Sequence, residues 1–329
     1  AKLDKKGDLL ASLDAAIEWE RFRPTLARIH KVARKSNAGR KPYDEVLMFK
    51  ILVIQSLYSL SDEAAEKMIL DRLTFRRFLG LNLGSPVPDA TTIWLFRDTA
   101  ARMGLIDRLF EDFDLQLAAR GLSAKRGSMI DASIVEVPRQ KIDREERKEI
   151  EEKGEVEGWS DEKRRQKDTD AQWTKKNDKA FFGYKNHVCV DVEHKIIRKF
   201  EVTDASVHDS RMADRLLDFC NTSGKVYADS AYRSQKFISY LELLGFTERI
   251  CRKARRGKPL SEAEKKGNHT KACLRARVEH VFGQMKSAGL RFLVRTIGIV
   301  RARAKIGLMN LVYNMRRLVT LSQQRPTTA

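Results

Sequence analysis

A single change of period in the apolar pattern, between Gly121 and Gly127, constrains this chain more than any other feature. Ahead of it, apolar side chains recur at helical spacing; behind it, Met129 to Val137 alternates and is rich in β-branched residues, as a strand requires. The break predicts two domains: a helical one at 1–124 and a mixed α/β one at 125–329. A chain of 329 residues can bury a core in each.

In the first domain, Tyr43 to Leu60 carries Val46, Leu47, Phe49, Ile51, Leu52, Ile54 and Leu57 on a broad apolar face. Pro42 precedes its first turn, where a missing N–H costs little. Ser61 suits the N-cap of a second helix whose Asp62 and Glu63 complement the positive end of the dipole. Beyond Pro86 and Pro88, Asp89 can cap a helix through Thr91, Thr92, Ile93, Trp94, Phe96 and Arg97, and a further helix is predicted from Leu105 to Arg120. The pieces suggest a bundle of the helix-turn-helix kind, in which Thr91, Thr92 and Arg97 either meet DNA or lie on a solvated basic face.

The second domain opens with the strand at Met129. A charged insertion at about 138–180 follows; Lys141 to Asp170 is of mixed sign and almost without apolar side chains, so it is predicted to be exposed, partly helical and short of core. Strands His187 to Val192 and Ile196 to Val202 flank a tight turn at Glu193-His194-Lys195. After them come a helix starting near His208-Asp209, a strand Val226 to Asp229, a helix Ser234 to Leu244, a short strand around Glu248 to Arg252, and a C-terminal helix at about 304–320. That order describes a mixed sheet flanked by helices.

Hydrophobic residues at 42% and charged residues at 33% describe a globular protein. No apolar run reaches membrane-spanning length and no secretory stretch opens the sequence, so a cytoplasmic address is expected. The net charge of +19 calls for a polyanionic partner, with nucleic acid ahead of a ribosomal or merely basic role. Cys189, Cys220, Cys251 and Cys273 are scattered without C-x-x-C spacing, which supports neither a zinc site nor a disulfide framework; most are expected to be buried thiols. The histidines show no ligand spacing either.

Three acids stand out: Asp131 after Ser128-Met129-Ile130, Asp229 after Lys225-Val226-Tyr227-Ala228, and Glu279 in the helical run from Cys273 to His280. An acid at the end of a buried strand is costly unless it faces a cation or water. On the predicted helix, Arg275 and Lys286 fall within roughly 40° and 20° of Glu279, so one face presents base, acid, base. Clustered carboxylates favour a divalent cation, and oxygen-only ligation suits Mg²⁺ or Mn²⁺ over zinc. Two such ions can drive displacement at phosphorus.

At these residues the chain resembles a known family. Val226-Tyr-Ala-Asp229-Ser-Ala-Tyr-Arg233, Ile130-Asp131-Ala-Ser133 and Arg275-x-x-x-Glu279-x-x-x-x-x-x-Lys286 are similar to the signatures of bacterial DDE transposases, specifically the insertion-sequence-five group of the insertion-sequence-four superfamily. The likeness extends to Asp89 through Arg97, Trp173-Thr-Lys175-Lys176 and Phe182-Gly-Tyr-Lys185. It departs at Ala272, where the motif has tyrosine; Tyr232 is the nearby alternative.

The resemblance implies a ribonuclease-H-like core and catalysis by Asp131, Asp229 and Glu279 as ligands of two Mg²⁺ or Mn²⁺ ions, with Arg275 and Lys286 assisting. It also implies double-stranded DNA as substrate, both inverted-repeat ends and target, and at least a homodimer in the synaptic complex. A nuclease without strand transfer and a non-cutting end-binding repressor are the alternatives. Candidate DNA contacts are Lys175, Lys185, Arg252, Arg255, Arg256, Arg291 and Arg295. Trp173 and Trp94 can either stack on an unpaired base or anchor a loop.

Overall fold

In this computed structural model, residues 7–30, 41–254, 259–287 and 292–324 are described. They form two compact units: one of Ala1–Leu122, Met285–Arg291 and Gly307–Ala329, the other of Ser123–Gln284 and Phe292–Ile306.

The first unit is helical: α1 (Leu9–Ala16), a 3₁₀ turn (Trp19–Phe22), α2 (Arg23–Leu26), a second such turn (Ala27–His30), α3 (Glu45–Tyr58), α4 (Asp62–Asp71), α5 (Leu73–Leu79), α6 (Ala90–Arg102) and α7 (Leu105–Ala119). The sequence pattern gives α3 a broad apolar face, but it is buried nearly all round, Gln55 and Ser56 included, which makes it a central helix. Burying Gln55 is tolerable because its amide donates to Asp62 Oδ1 at 2.7 Å. Trp19 and Phe78 meet edge to face with centroids 5.4 Å apart, and Phe22 and Phe49 do so at 5.1 Å. The caps follow the sequence: Asp44 accepts from Leu47 N, Ser61 from Ala64 N and Asp89 from Thr92 N.

In the second unit the strands are β1 (Ser128–Glu136), β2 (Gln172–Lys176), β3 (Lys179–Asp191), β4 (Ile197–Asp204), β5 (Lys225–Tyr227) and β6 (Thr247–Glu248). The sheet runs β2-β3-β1-β5-β6, with β4 also paired to β3. Antiparallel pairing of β1, β3 and β4 gives way to parallel pairing of β1, β5 and β6, the mixed polarity expected of a ribonuclease-H-like core. The helices of this half of the chain are α8 (Arg144–Lys153), α9 (Asp161–Gln166), α10 (Gln235–Leu243), α11 (Glu262–Ser287) and α12 (Ile299–Gln324).

Gly127 fixes the start of β1. Its φ is +107°, and a Cβ there would lie 2.7 Å from Lys225 O, so only glycine lets β1 come alongside β5. The Asn221 side chain clasps the same residue, accepting from Gly127 N at 3.0 Å and donating to Gly127 O at 2.8 Å.

Several sequence expectations change. The charged insertion has a small core of its own, Ile150, Val156 and Trp159 with Ile142 against them, between α8 and α9. Polar bonds do the rest: an Asp143/Glu146 capping box starts α8, and Glu146 accepts from Trp159 Nε1 at 2.7 Å and from Lys163 Nζ. The first arm of the hairpin reaches back to Lys179 and pairs there with β2, a strand the sequence pattern did not suggest. The helix expected near His208 is one 3₁₀ turn, Asp209–Met212. The last helix, expected wholly within the second domain, is longer than its apolar stretch, and from Gly307 onward it groups with the N-terminal helices.

Of the four free cysteines only Cys189 is buried; Cys251 is partly covered and Cys220 and Cys273 are exposed, contrary to the expectation of mostly buried thiols. Among the described residues, no helix is long and apolar enough to cross a membrane.

Candidate active site

Strand pairing brings two of the acids together. In the parallel β1–β5 register Ser128 faces Val226 and Met129 faces Tyr227; carried two residues on, it sets Asp131 level with Asp229. Neighbouring strands lie about 4.8 Å apart, so the two residues sit side by side, Asp131 within β1 and Asp229 just past the end of β5. Asp229 has left its strand and caps the 3₁₀ turn Ser230–Tyr232, accepting from Ala231 N at 2.8 Å. Asp131 accepts from Ala132 N at 2.8 Å. Each aspartate thus commits one oxygen to a main-chain N–H.

The Asp131 side chain is only 16% exposed. Burial pushes its carboxyl up to about 6, the Ala132 N–H and the Arg275 guanidinium pull the other way, and the charge of Asp229 adds to the rise. Ionising a carboxyl in that position is costlier than in water, and a nearby cation offsets the cost.

Helix α11 supplies the cation and the third acid. It buries Val278, Val281 and Phe282 and is pinned beside the sheet by polar bonds. Asn268 exchanges two hydrogen bonds of 2.8 Å with the Arg252 main chain, Lys271 donates to Ile250 O at 2.8 Å, and Arg277 donates to Val192 O at 3.2 Å. Arg275 lies between two acids, with Nη1 3.8 Å from Asp131 Oδ2 and Nη2 3.3 Å from Glu279 Oε1. Its Nε is buried without a partner, a donor still to be satisfied.

Glu279 is the outlying member. Its side chain is 60% exposed and meets Arg275, so the guanidinium stands between it and Asp131. Among the described residues, no three His, Cys, Asp or Glu side chains are gathered closely enough to hold one ion as they stand. Lys286 follows on the same helix, one residue before its end, and belongs to the first unit.

The structure sorts the sequence-derived DNA contacts. Thr91 is exposed, Thr92 is half-buried at the capped start of α6, and Arg97 is engaged by both oxygens of Asp62 with its side chain 24% exposed. Lys185 is spent internally, 2.7 Å from Val207 O and 2.9 Å from Asp209 Oδ1. Trp173 lies in β2, half-buried, where it packs on Phe182 and lies under the guanidinium groups of Arg139 and Arg147. Trp94, by contrast, is 44% exposed. Lys175 is exposed beside Asp178, Arg252 is tied to Glu264, and Arg295 is exposed. Arg255, Arg256 and Arg291 lie outside the described residues.

A family model described as a transposase DDE domain matches residues 122–315, more than half of the chain. The chain belongs to this family of DDE transposases. A second match, to a transposase domain (DUF772), covers residues 1–99 and so the helical part of the transposase. Among solved structures, the transposase is similar to the piggyBac transposase synaptic complex with hairpin DNA, determined by cryo-EM. The two are 11% identical over 98% of this chain and 77% of that one, with a TM-score of 0.48.

The Lys271 and Asn268 anchors, one and about two turns ahead of Arg275, belong to no motif that marks them in the sequence, and nothing in the sequence shows that the Tyr232 side chain is 0% exposed.

Proposed function

We propose that Asp131, Asp229 and Glu279 are the catalytic acids of this transposase and hold two divalent ions, Mg²⁺ or Mn²⁺. The β1–β5 register, which carried two residues on aligns Asp131 within β1 with Asp229 just past β5, supports this reading. The donor set fits such ions: it is all carboxylate oxygen, each aspartate is steadied by one N–H and keeps a second oxygen, and Asp131 is too buried to hold a charge cheaply without a cation.

When bound, such a pair of ions activates the attacking oxygen and stabilises the leaving oxygen of an in-line displacement at phosphorus. The chain's own residues do the rest. Arg275, already beside two of the acids and with an unsatisfied Nε, turns to a phosphate oxygen of the scissile strand. Lys286 falls in helical phase with Glu279 on α11. Water attacks the phosphorus at the element end and frees a 3′-hydroxyl; that hydroxyl then attacks a target phosphodiester and displaces its 3′ oxygen.

The insertion-sequence-five group is the finer assignment we favour, on the Arg275, Glu279 and Lys286 spacing. The helical domain at 1–124 recognises the terminal inverted repeats, the catalytic domain follows from 125, and two or more copies pair the ends in the cytoplasm of a prokaryote.

The test is one labelled inverted-repeat substrate scored for binding, cutting and joining. Asp131→Ala, Asp229→Ala and Glu279→Ala should each leave binding within about twofold of the parent while cutting falls on the order of 10³-fold or more. Cutting that survives Asp229→Ala would exclude these acids as catalysts, and cutting without any joined product would favour a nuclease.

A further inference from the structure

The segment from Glu248 to Arg252 lies between the two elements that carry the second and third acids. On one side it continues the parallel pairing of β6 with β5: Arg249 N donates to Val226 O at 2.8 Å and Cys251 N to Ala228 O at 3.2 Å, which sets Cys251 level with Asp229. On the other side it holds α11, through Lys271 Nζ on Ile250 O and through the Asn268 bonds to Arg252.

One oxygen joins the two sides. Glu248 Oε1 accepts from Arg233 Nη1 and from Ile250 N at 2.8 Å, and Lys271 Nζ lies 3.9 Å from it. Arg233 closes the Ser230–Tyr232 turn whose N-cap is Asp229, its own N–H donating to Ser230 O at 3.3 Å. Lys271 stands one helical turn ahead of Arg275 and two ahead of Glu279. The side chains of Arg233, Glu248 and Lys271 are 25%, 19% and 18% exposed, so water screens their charges only in part. Without the Glu248 charge, two cations face one another across the junction and repel.

We propose that Glu248 is a positioning residue of this site: through Arg233 and Lys271 it sets the turn that carries Asp229 against the helix that carries Arg275 and Glu279. This rests on the reading of Asp229 and Glu279 as catalytic acids. A misplacement of about 1 Å, even one caused far from the reacting atoms, can cost about 10²-fold in rate.

The experiment measures cutting of the labelled inverted-repeat substrate against DNA concentration for Glu248→Gln, paired with amide hydrogen exchange of the full chain free of metal and DNA. Glutamine keeps the shape and an oxygen for Ile250 N, but not the charge. The rate at saturating DNA should fall about 10-fold or more while the half-saturating DNA concentration stays within about twofold of the parent. Exchange should quicken at Ala231 to Arg233 and at Lys271 to Glu279 and stay parent-like across β1 and β3. Arg233→Gln should match this fall, and the double variant should lie within about twofold of either single one, because both remove the same link. A parent-like rate would overturn the proposal, as would full additivity in the double variant. So would failure to fold or lost protection throughout the second unit, since either would make Glu248 a residue of general stability. Asp229→Ala separates the two layers: cutting that survives there removes the reading of the acids and this proposal with it, whereas cutting abolished there beside a parent-like Glu248→Gln removes only the proposal.

Discussion

Asp131 is an acid whose charge is disfavoured by burial. Its carboxyl titrates at about 6 in the folded protein against 3.8 for an ordinary aspartate. Between those values the folded state keeps a proton that the unfolded chain has released, so this group makes stability fall as pH rises from about 4 to about 6. Asp131→Asn should flatten that part of the profile in metal-free protein, measured by urea unfolding across the window; an unchanged slope would show that Asp131 is solvated. The position of Asp131 was legible because an acid after Met129-Ile130 on a strand needs a cation. Its contact with Arg275 was legible only as far as helix phase, since phase relates Arg275 to Glu279 and says nothing about which strand the helix lies against. The internal use of Lys185 by Asp209 and Val207 left no trace in the sequence, because a lysine in a strand reads the same whether it faces water or a buried acid.

At the scale of elements, the start of β1 and the charged insertion make separate demands. Gly127→Ala places a Cβ against Lys225 O at a backbone angle that side chains rarely adopt, and should destabilise the second unit by about 2 kcal/mol or more, read from denaturant unfolding. The effect should reach the active site, because the same approach of β1 to β5 sets Asp131 beside Asp229. The change of period at Gly121–Gly127 lies just ahead of the start of β1 at Ser128. The insertion was harder to read. Its fold rests on four apolar side chains and a polar network around Glu146, too few for a periodic signal. Trp159→Ala should cost about 3 kcal/mol locally, seen as loss of hydrogen-exchange protection across α8 and α9 while the sheet keeps its own. Uniform loss over the whole second unit would mean that the insertion and the sheet unfold together.

Across the whole molecule, positive charge governs how the protein meets its partner. A surplus of +19 predicts DNA binding that weakens steeply with salt. The structure divides the basic residues into those still exposed, such as Lys175 and Arg295, and those engaged internally, such as Lys185 and Arg97. Lys175→Ala and Arg295→Ala should each reduce the slope of log K against log salt by about 0.9 if each meets one phosphate, whereas Lys185→Ala should lower stability and leave the slope alone. Composition foretold the partner, but not this division, which depends on tertiary contacts with Asp62, Val207 and Asp209. The most direct measurement of the central claim is an anomalous-scattering map of the full chain crystallised with an inverted-repeat end and Mn²⁺. Two Mn²⁺ peaks within about 2.2 Å of carboxylate oxygens from Asp131, Asp229 and Glu279 are expected. Peaks elsewhere, or Glu279 remaining on Arg275 with DNA and metal both bound, would contradict it.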